Sequence, residues 1–280
     1  MISSETSRRG VIKHYVFSFV ESIWRSGFYL IGLLDRRRQF IKPERCSVLV
    51  IAPHPADETA AAGGTIMRHQ EAGADITVAI VTDGRSSKAG GLDMDAMIQQ
   101  RRNEIHNASE ILGIRMKELL LPEGQWHPNE FHDQLRSYVR KADIIYTPSW
   151  IDFHPEHLRV AECLAEIVSD SQTIRTMQLG VPLGTKLTNC LVDISDVKER
   201  KTAAIKSYVT QQGALQPLQR AERYLATRYG KAVEVFRQST GAEFKAQIRN
   251  NSWAGGYSPY RGIRPRPFTD PLAWIIGKRQ

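Results

Sequence analysis

The chain has 280 residues, 41% of them hydrophobic and 24% charged, which suits one large core with extensions and shows no disordered, collagen-like or disulfide-stapled bias. Its three cysteines, Cys46, Cys163 and Cys190, are odd in number, widely spaced and without a CxxC pair, so they argue against a disulfide framework or a cysteine zinc site and for a reducing, cytoplasmic compartment. The formal charge of +8 sits at the two ends: residues 1–45 hold nine Lys/Arg against four Asp/Glu, residues 246–280 six against one, and residues 46–245 23 against 25, so no nucleic-acid partner is expected.

In chain order, Val11–Leu34 is apolar but broken by Lys13, His14, Glu21 and Arg25, too interrupted for a membrane span. Read as a helix, it puts His14, Ser18, Glu21, Ser22 and Arg25 on one stripe and Ile12, Val16, Phe19, Ile23 and Leu30 on a broad apolar face. Arg8-Arg9 and Arg36-Arg37-Arg38 flank it. That is the pattern of an interfacial helix drawn to an anionic membrane surface through residues 8–38, or of one packed on the protein's own core or on a second subunit of a homo-oligomer. No small-residue cleavage site follows, so a cleaved signal peptide is not expected.

Ser47–Ala52 reads as a buried strand ending at a proline, Gly63–Ala72 as a helix closed by Gly73, and Ile76–Thr82 as a second buried strand. Residues 85–95 form a polar loop, Met97–Leu112 a helix stopped by Gly113, and Lys117–Leu121 a third strand. Phe131–Lys141 is helical, Asp143–Thr147 a strand and Pro155–Val168 a helix. Strands alternating with helices imply an α/β fold with a mostly parallel sheet, helices on both faces, and a ligand site beyond the carboxyl ends of the strands.

Two polar clusters follow predicted strands: Pro53-His54-Pro55-Ala56-Asp57-Glu58 and Asp152-Phe153-His154-Pro155-Glu156-His157. Imidazole and carboxylate suit zinc, and a hydrolytic site takes three protein ligands and keeps a position for water. His54 and Asp57, three apart on a tight turn, can converge on one ion, and His157 can complete the set from a neighbouring strand end, with His154 facing the same pocket. A two-histidine, one-carboxylate set accepts ferrous iron as well as zinc.

At these residues the sequence resembles the family of N-acetylglucosaminyl-phosphatidylinositol de-N-acetylases and LmbE-like deacetylases. That family's motifs read His-Pro-Asp-Asp-Glu and His-Pro-Asp-His; here they stand as His54-Pro55-Ala56-Asp57-Glu58 and His154-Pro155-Glu156-His157. Thr82-Asp83-Gly84, Arg101 with Glu104, Leu121-Pro122-Glu123-Gly124 and Lys201–Gln212 extend the likeness over about residues 46–245. The resemblance implies a Rossmann-like fold, zinc on His54, Asp57 and His157, an oxyanion-stabilising His154, and Arg101 on the substrate. Glu156 would orient His154, and Glu58 and Asp152 would support the ligands. Glu123 is expected to be an exposed loop carboxylate, with a role in the site as the alternative. Ala56 stands where the family has its general-base Asp, and alanine accepts no proton. Glu58 and Glu156 are candidate replacements, but neither stands at the family base's offset from Asp57.

The expected organisation is a basic amphipathic N-terminal extension (1–45), an LmbE-like deacetylase domain (46–245) and a basic Gly/Pro/Arg-rich tail (246–280). The expected function is zinc-dependent hydrolysis of the N-acetyl group of an N-acetylglucosamine-like conjugate, glycolipid or glycan precursor. Ala56 would impair it, as an introduced Asp→Ala change or as a natural variant. The expected place is the cytoplasm, peripheral on the inner face of the membrane. The alternatives are a non-catalytic, zinc-containing glycan- or lipid-binding protein, and a domain in which zinc only staples the strand ends.

Overall fold

The structure is a computed structural model that describes residues 40–87, 89–152, 154–179 and 188–250, together with Ile23, Ser26 and Leu30. The expected N-terminal amphipathic helix and the C-terminal tail thus lie almost wholly outside the described residues. Among the described residues, no helix is long and apolar enough to cross a membrane.

Among the described residues, eight strands form one sheet: β1 Phe40–Ile41, β2 Ser47–Ala52, β3 Asp75–Thr82, β4 Met116–Leu121, β5 Ile144–Pro148, β6 Thr173–Met177, β7 Cys190–Asp193 and β8 Val233–Thr240. Their order is β1-β7-β8-β6-β5-β2-β3-β4. All pairs are parallel except those of β8, which runs antiparallel to β6 and β7. The helices are α1 Asp57–Glu71, α2 Met94–Leu112, α3 Pro128–Lys141, α4 Pro155–Ile167, α5 Lys198–Ser207, α6 Gln212–Tyr229 and α7 Gly241–Asn250. This is the mostly parallel, Rossmann-like α/β architecture.

Strand periodicity sorts the core onto two faces. Val48, Val50 and Ala52 of β2 join Val78 and Ile80 of β3 beneath α1, α2 and α5. Leu49 and Ile51 join Ala79, Val81 and Ile145 beneath α3, α4 and Phe244 of α7. With both faces covered, the central strands read as unbroken apolar runs. Burying such large side chains contributes roughly 1.5–3 kcal/mol each. A smaller cluster seats Ala221, Tyr224 and Leu225 of α6 on Leu191, Val233 and Val235.

The chain leaves β2 for β3 and β4 on one side, then returns to β5 and β6 on the other. β2 and β5 are neighbours, with Val48 opposite Ile144. Sheets of this kind place ligands beyond the carboxyl ends of the strands at such a reversal.

Three differences from the sequence reading bear on the site. The first helix starts at Asp57, six residues earlier than expected, so the motif carboxylates Asp57 and Glu58 occupy its first turn. Acidic side chains there complement the exposed amides of the helix start. The helix α7 continues to Asn250, past the expected domain end at 245. Third, the β3–β4 pairing slips: Ile80 faces Glu118 but Thr82 faces Leu121. One extra residue is thereby accommodated on β4, with Leu120 at φ 53°.

Candidate metal centre

The turn after β2 is held by its own backbone and by α1. Asp57 N donates to His54 O at 3.2 Å, and His54 N donates to Asp57 Oδ2 at 2.9 Å. Ala56, the residue capping α1, has φ 93° and ψ −23° and offers no side-chain cap. Its N–H donates to Glu58 Oε2 at 3.1 Å. Glu58 is fully buried, and its Oε1 accepts from Thr59 Oγ1 at 2.5 Å and Tyr208 Oη at 2.6 Å. Burial raises its pKa. These contacts are directed into the fold, and through them Glu58 fixes the turn.

The turn after β5 is built around Asp152. Its Oδ1 accepts from His154 N at 3.0 Å, and its Oδ2 lies 2.9 Å from His157 Nδ1. His154 caps α4, its Nδ1 accepting from Glu156 N at 3.3 Å. Pro155 at the first position is preset for a helix. His157 follows three residues later, one turn along on the same face.

The two turns meet. His54 Nδ1 lies 3.2 Å from Asp57 Oδ2, His157 Nε2 lies 3.3 Å from Asp57 Oδ2, and His157 Nε2 lies 3.3 Å from His54 Nδ1. A tetrahedral zinc ion ~2.0–2.1 Å from each donor sets its donors roughly 3.3–3.4 Å apart. The observed triangle therefore fits zinc in both donor chemistry and size. One nitrogen each of His54, His154 and His157 also falls within 4.8 Å of the others. The triangle closed by Asp57 is tighter and brings a carboxylate to the cation.

Electrostatics follow from crowding three imidazoles among carboxylates. Burial opposes the charge on Asp57, but His157 and His54 outweigh it and hold the carboxyl far below the usual range. Burial disfavours a charged His157, yet Asp152 and Asp57 push it up to about 10. His54 is likewise raised against its burial, through Asp57 and Glu123. His154 goes the other way: burial, then the nearby His157 and His54, bring it down to about 4. At neutral pH it is an uncharged imidazole. Because Nδ1 accepts from the Glu156 amide, its proton resides on Nε2.

Two residues do something other than the sequence suggested. The Glu156 carboxylate accepts from Trp126 Nε1 at 2.6 Å and Gly124 N at 3.2 Å. It is the Glu156 backbone amide, not its carboxylate, that orients His154. Arg101 is only 2% exposed. Its guanidinium donates to Pro55 O at 2.6 Å and Thr210 Oγ1 at 3.1 Å, and lies 3.4 Å from Glu104 Oε2. It clamps the His54–Asp57 turn from behind, at the residue next to Ala56.

Glu123 was the residue undervalued in the sequence. Its side chain is 11% exposed, with Oε1 3.3 Å from His54 Nε2. The signal was present in Leu121-Pro122-Glu123-Gly124, a turn sequence closing a strand whose neighbour leads toward β2. Gln125 N donates to Pro122 O at 2.9 Å, and Gly124 takes φ 78°, the geometry that calls for glycine at the third position of a type II turn.

Residues 49–168 match the family described as GlcNAc-PI de-N-acetylase. The diacetylchitobiose deacetylase of Thermococcus kodakarensis is 27% identical over 192 residues, 59% of this chain and 69% of that protein. The probable N-acetyl-alpha-D-glucosaminyl L-malate deacetylase 2 of Bacillus anthracis is 26% identical over 140 residues, 46% of this chain and 62% of that protein. Among solved structures, the N,N'-diacetylchitobiose deacetylase from Pyrococcus horikoshii superposes with a TM-score of 0.59 at 23% identity, over 70% of this chain and 84% of that one. This last likeness establishes the fold.

Proposed function

From the match of residues 49–168 to the GlcNAc-PI de-N-acetylase family, we propose that the chain is built to hydrolyse the N-acetyl group of an N-acetylglucosamine-like conjugate at the His54–Asp57–His157 centre. The observation that carries this reading is the donor triangle of 3.2–3.3 Å at the carboxyl ends of β2 and β5. His54 Nδ1, Asp57 Oδ2 and His157 Nε2 would hold zinc. When bound, zinc supplies Lewis-acid polarisation of the acetamide carbonyl and lowers the pKa of water.

The protein's own residues divide the remaining work. Neutral His154, with its proton on Nε2, donates a hydrogen bond to the oxygen that gains charge as the amide carbon becomes tetrahedral. Arg101 and Glu58 hold the turn that sets His54 and Asp57. Amide hydrolysis also needs a group to take a proton from the attacking water and return one to the leaving nitrogen. Position 56, at the start of α1, is where that group belongs, and a methyl group stands there instead.

Ala56→Asp tests the proposal. On N-acetylglucosaminyl conjugates such as diacetylchitobiose, with zinc present, the variant is expected to release acetate about 10²–10⁴ times faster than the Ala56 protein. No acetate release from the zinc-loaded variant across such conjugates overturns the enzyme reading. A second reading rests on Ala56 itself: a zinc-containing protein that binds acetylated glycan or lipid without turnover. It gains if the Ala56 protein retains acetylated sugar and Ala56→Asp adds no activity. The basic stretch 8–38 supports work at an anionic membrane surface, on a sugar joined to lipid or phosphate, and the pattern of cysteines supports a cytoplasmic setting.

A further inference from the structure

We propose that Glu123 is a positioning residue that fixes His54 in the tautomer able to bind metal through Nδ1. The inference rests on the metal-centre reading above and assigns a part to a carboxylate that the chemistry so far leaves unused.

A neutral imidazole carries one proton, and the nitrogen that binds metal must be the bare one. His54 directs Nδ1 into the donor triangle, 3.2 Å from Asp57 Oδ2 and 3.3 Å from His157 Nε2. Its proton therefore belongs on Nε2. That atom is buried without a well-aligned hydrogen-bond partner, and Glu123 Oε1 lies 3.3 Å from it. A carboxylate there favours the protonated Nε2 and raises the basicity of Nδ1. The same device occurs at His157 in mirror form: Asp152 Oδ2 sits 2.9 Å from Nδ1, leaving Nε2 for the centre. Each histidine of the triangle thus has a carboxylate behind it, and the two act through opposite nitrogens.

The loop carrying Glu123 is constrained as such a role requires. The extra residue on β4, with Leu120 at φ 53°, redirects the strand end. Asp83 Oδ1 accepts from Glu123 N at 3.4 Å, and Glu156 Oε1 accepts from Gly124 N at 3.2 Å. Ser86 N donates to Glu123 Oε2 at 3.1 Å, which leaves Oε1 for His54. These contacts give Glu156 a part as well, holding the turn from the α4 side.

The test uses the full chain stripped of metal, with zinc alone as the probe. Zinc affinity is measured by chelator competition for the unsubstituted protein, Glu123→Ala, Glu123→Gln and His54→Ala, and imidazole ¹⁵N–¹H correlation spectra report the His54 tautomer. Glu123→Ala is expected to weaken zinc binding about 10–100-fold and to move His54 away from the Nε2-protonated form. Glu123→Gln, whose amide oxygen still accepts from Nε2–H, is expected to keep the tautomer and lose less affinity. The assignment is overturned if Glu123→Ala and Glu123→Gln bind zinc like the unsubstituted protein with unchanged His54 spectra. It is also overturned if Glu123→Ala loses zinc as completely as His54→Ala, which would make Glu123 a direct ligand. Zinc failing to bind the unsubstituted protein overturns the metal centre itself, and this inference with it.

Discussion

Ala56 holds φ 93° and ψ −23° and is 2% exposed. Left-handed backbone of this kind costs an L-residue with a Cβ roughly 1–2 kcal/mol, and outside glycine it is Asn and Asp that adopt it most readily. The conformation is imposed from both sides, by Arg101 on Pro55 O and by the pairing of His54 with Asp57. Replacing Ala56 by Gly relieves the strain and removes one buried methyl, worth about 0.8 kcal/mol. Relief of the strain outweighs the lost methyl, so Ala56→Gly is expected to stabilise the protein by roughly 0.5–1 kcal/mol in urea denaturation. A loss of stability would show that the turn is relaxed. The mismatch of alanine with the motif was readable in the sequence. The strained backbone was not, because one of the two contacts that impose it comes from Arg101, 45 positions further along the chain.

At the scale of elements, α1 carries the first motif at its start and a second, unrelated polar anchor near its end. His69 Nε2 lies 2.9 Å from Tyr146 Oη of β5, which also accepts from Arg175 of β6 at 2.6 Å. Midway, Gly64 N and Thr65 N donate to Glu234 of β8 at 2.9 and 2.7 Å, and Glu234 in turn pairs with buried Lys201 of α5 at 2.7 Å. Gly64 is needed there because a Cβ would meet Ile194 Cγ2 at 2.6 Å. Burial first, then the charge of Arg175, brings the His69 pKa down to about 4. An unfolded histidine takes up its proton near pH ~6.5, whereas folded His69 refuses it until about pH 4. Between those values the unfolded chain binds more protons, so stability falls as the pH falls. The linked loss approaches ~3 kcal/mol by 1.36 kcal/mol per pKa unit. Chemical denaturation from pH 7 to 4 should show the unsubstituted protein losing that much relative to His69→Gln, and parallel curves would refute the linkage. The later part of α1, from Gly63 to its stop at Gly73, was legible in the sequence. Its true start was not, because Asp57 and Glu58 read as loop residues until their roles in the turn are known.

At the scale of the molecule, the donor triangle draws on two stretches of chain about a hundred residues apart and ties the ends of β2 and β5 together. A cation that binds only the folded form stabilises it by about 2.7 kcal/mol at a free concentration of 100 Kd. For a domain of this size that is roughly 5–10 °C in Tm. Calorimetry should show this rise on adding zinc and none in His157→Ala; an equal rise in both would place the ion elsewhere. By itself the sequence determined the alternating α/β order, the central apolar strands and the pair of His-containing motifs at strand ends, because those are local patterns of two- and 3.6-residue period followed by chemically distinctive side chains. Only the tertiary structure decided that β8 runs against its neighbours, that Glu156 faces Trp126, that Arg101 braces a turn, and that Glu123 stands behind His54. Each of these depends on how a strand runs or which way a side chain points once distant segments are packed, and neither the period of a strand nor the spacing of a motif carries that direction.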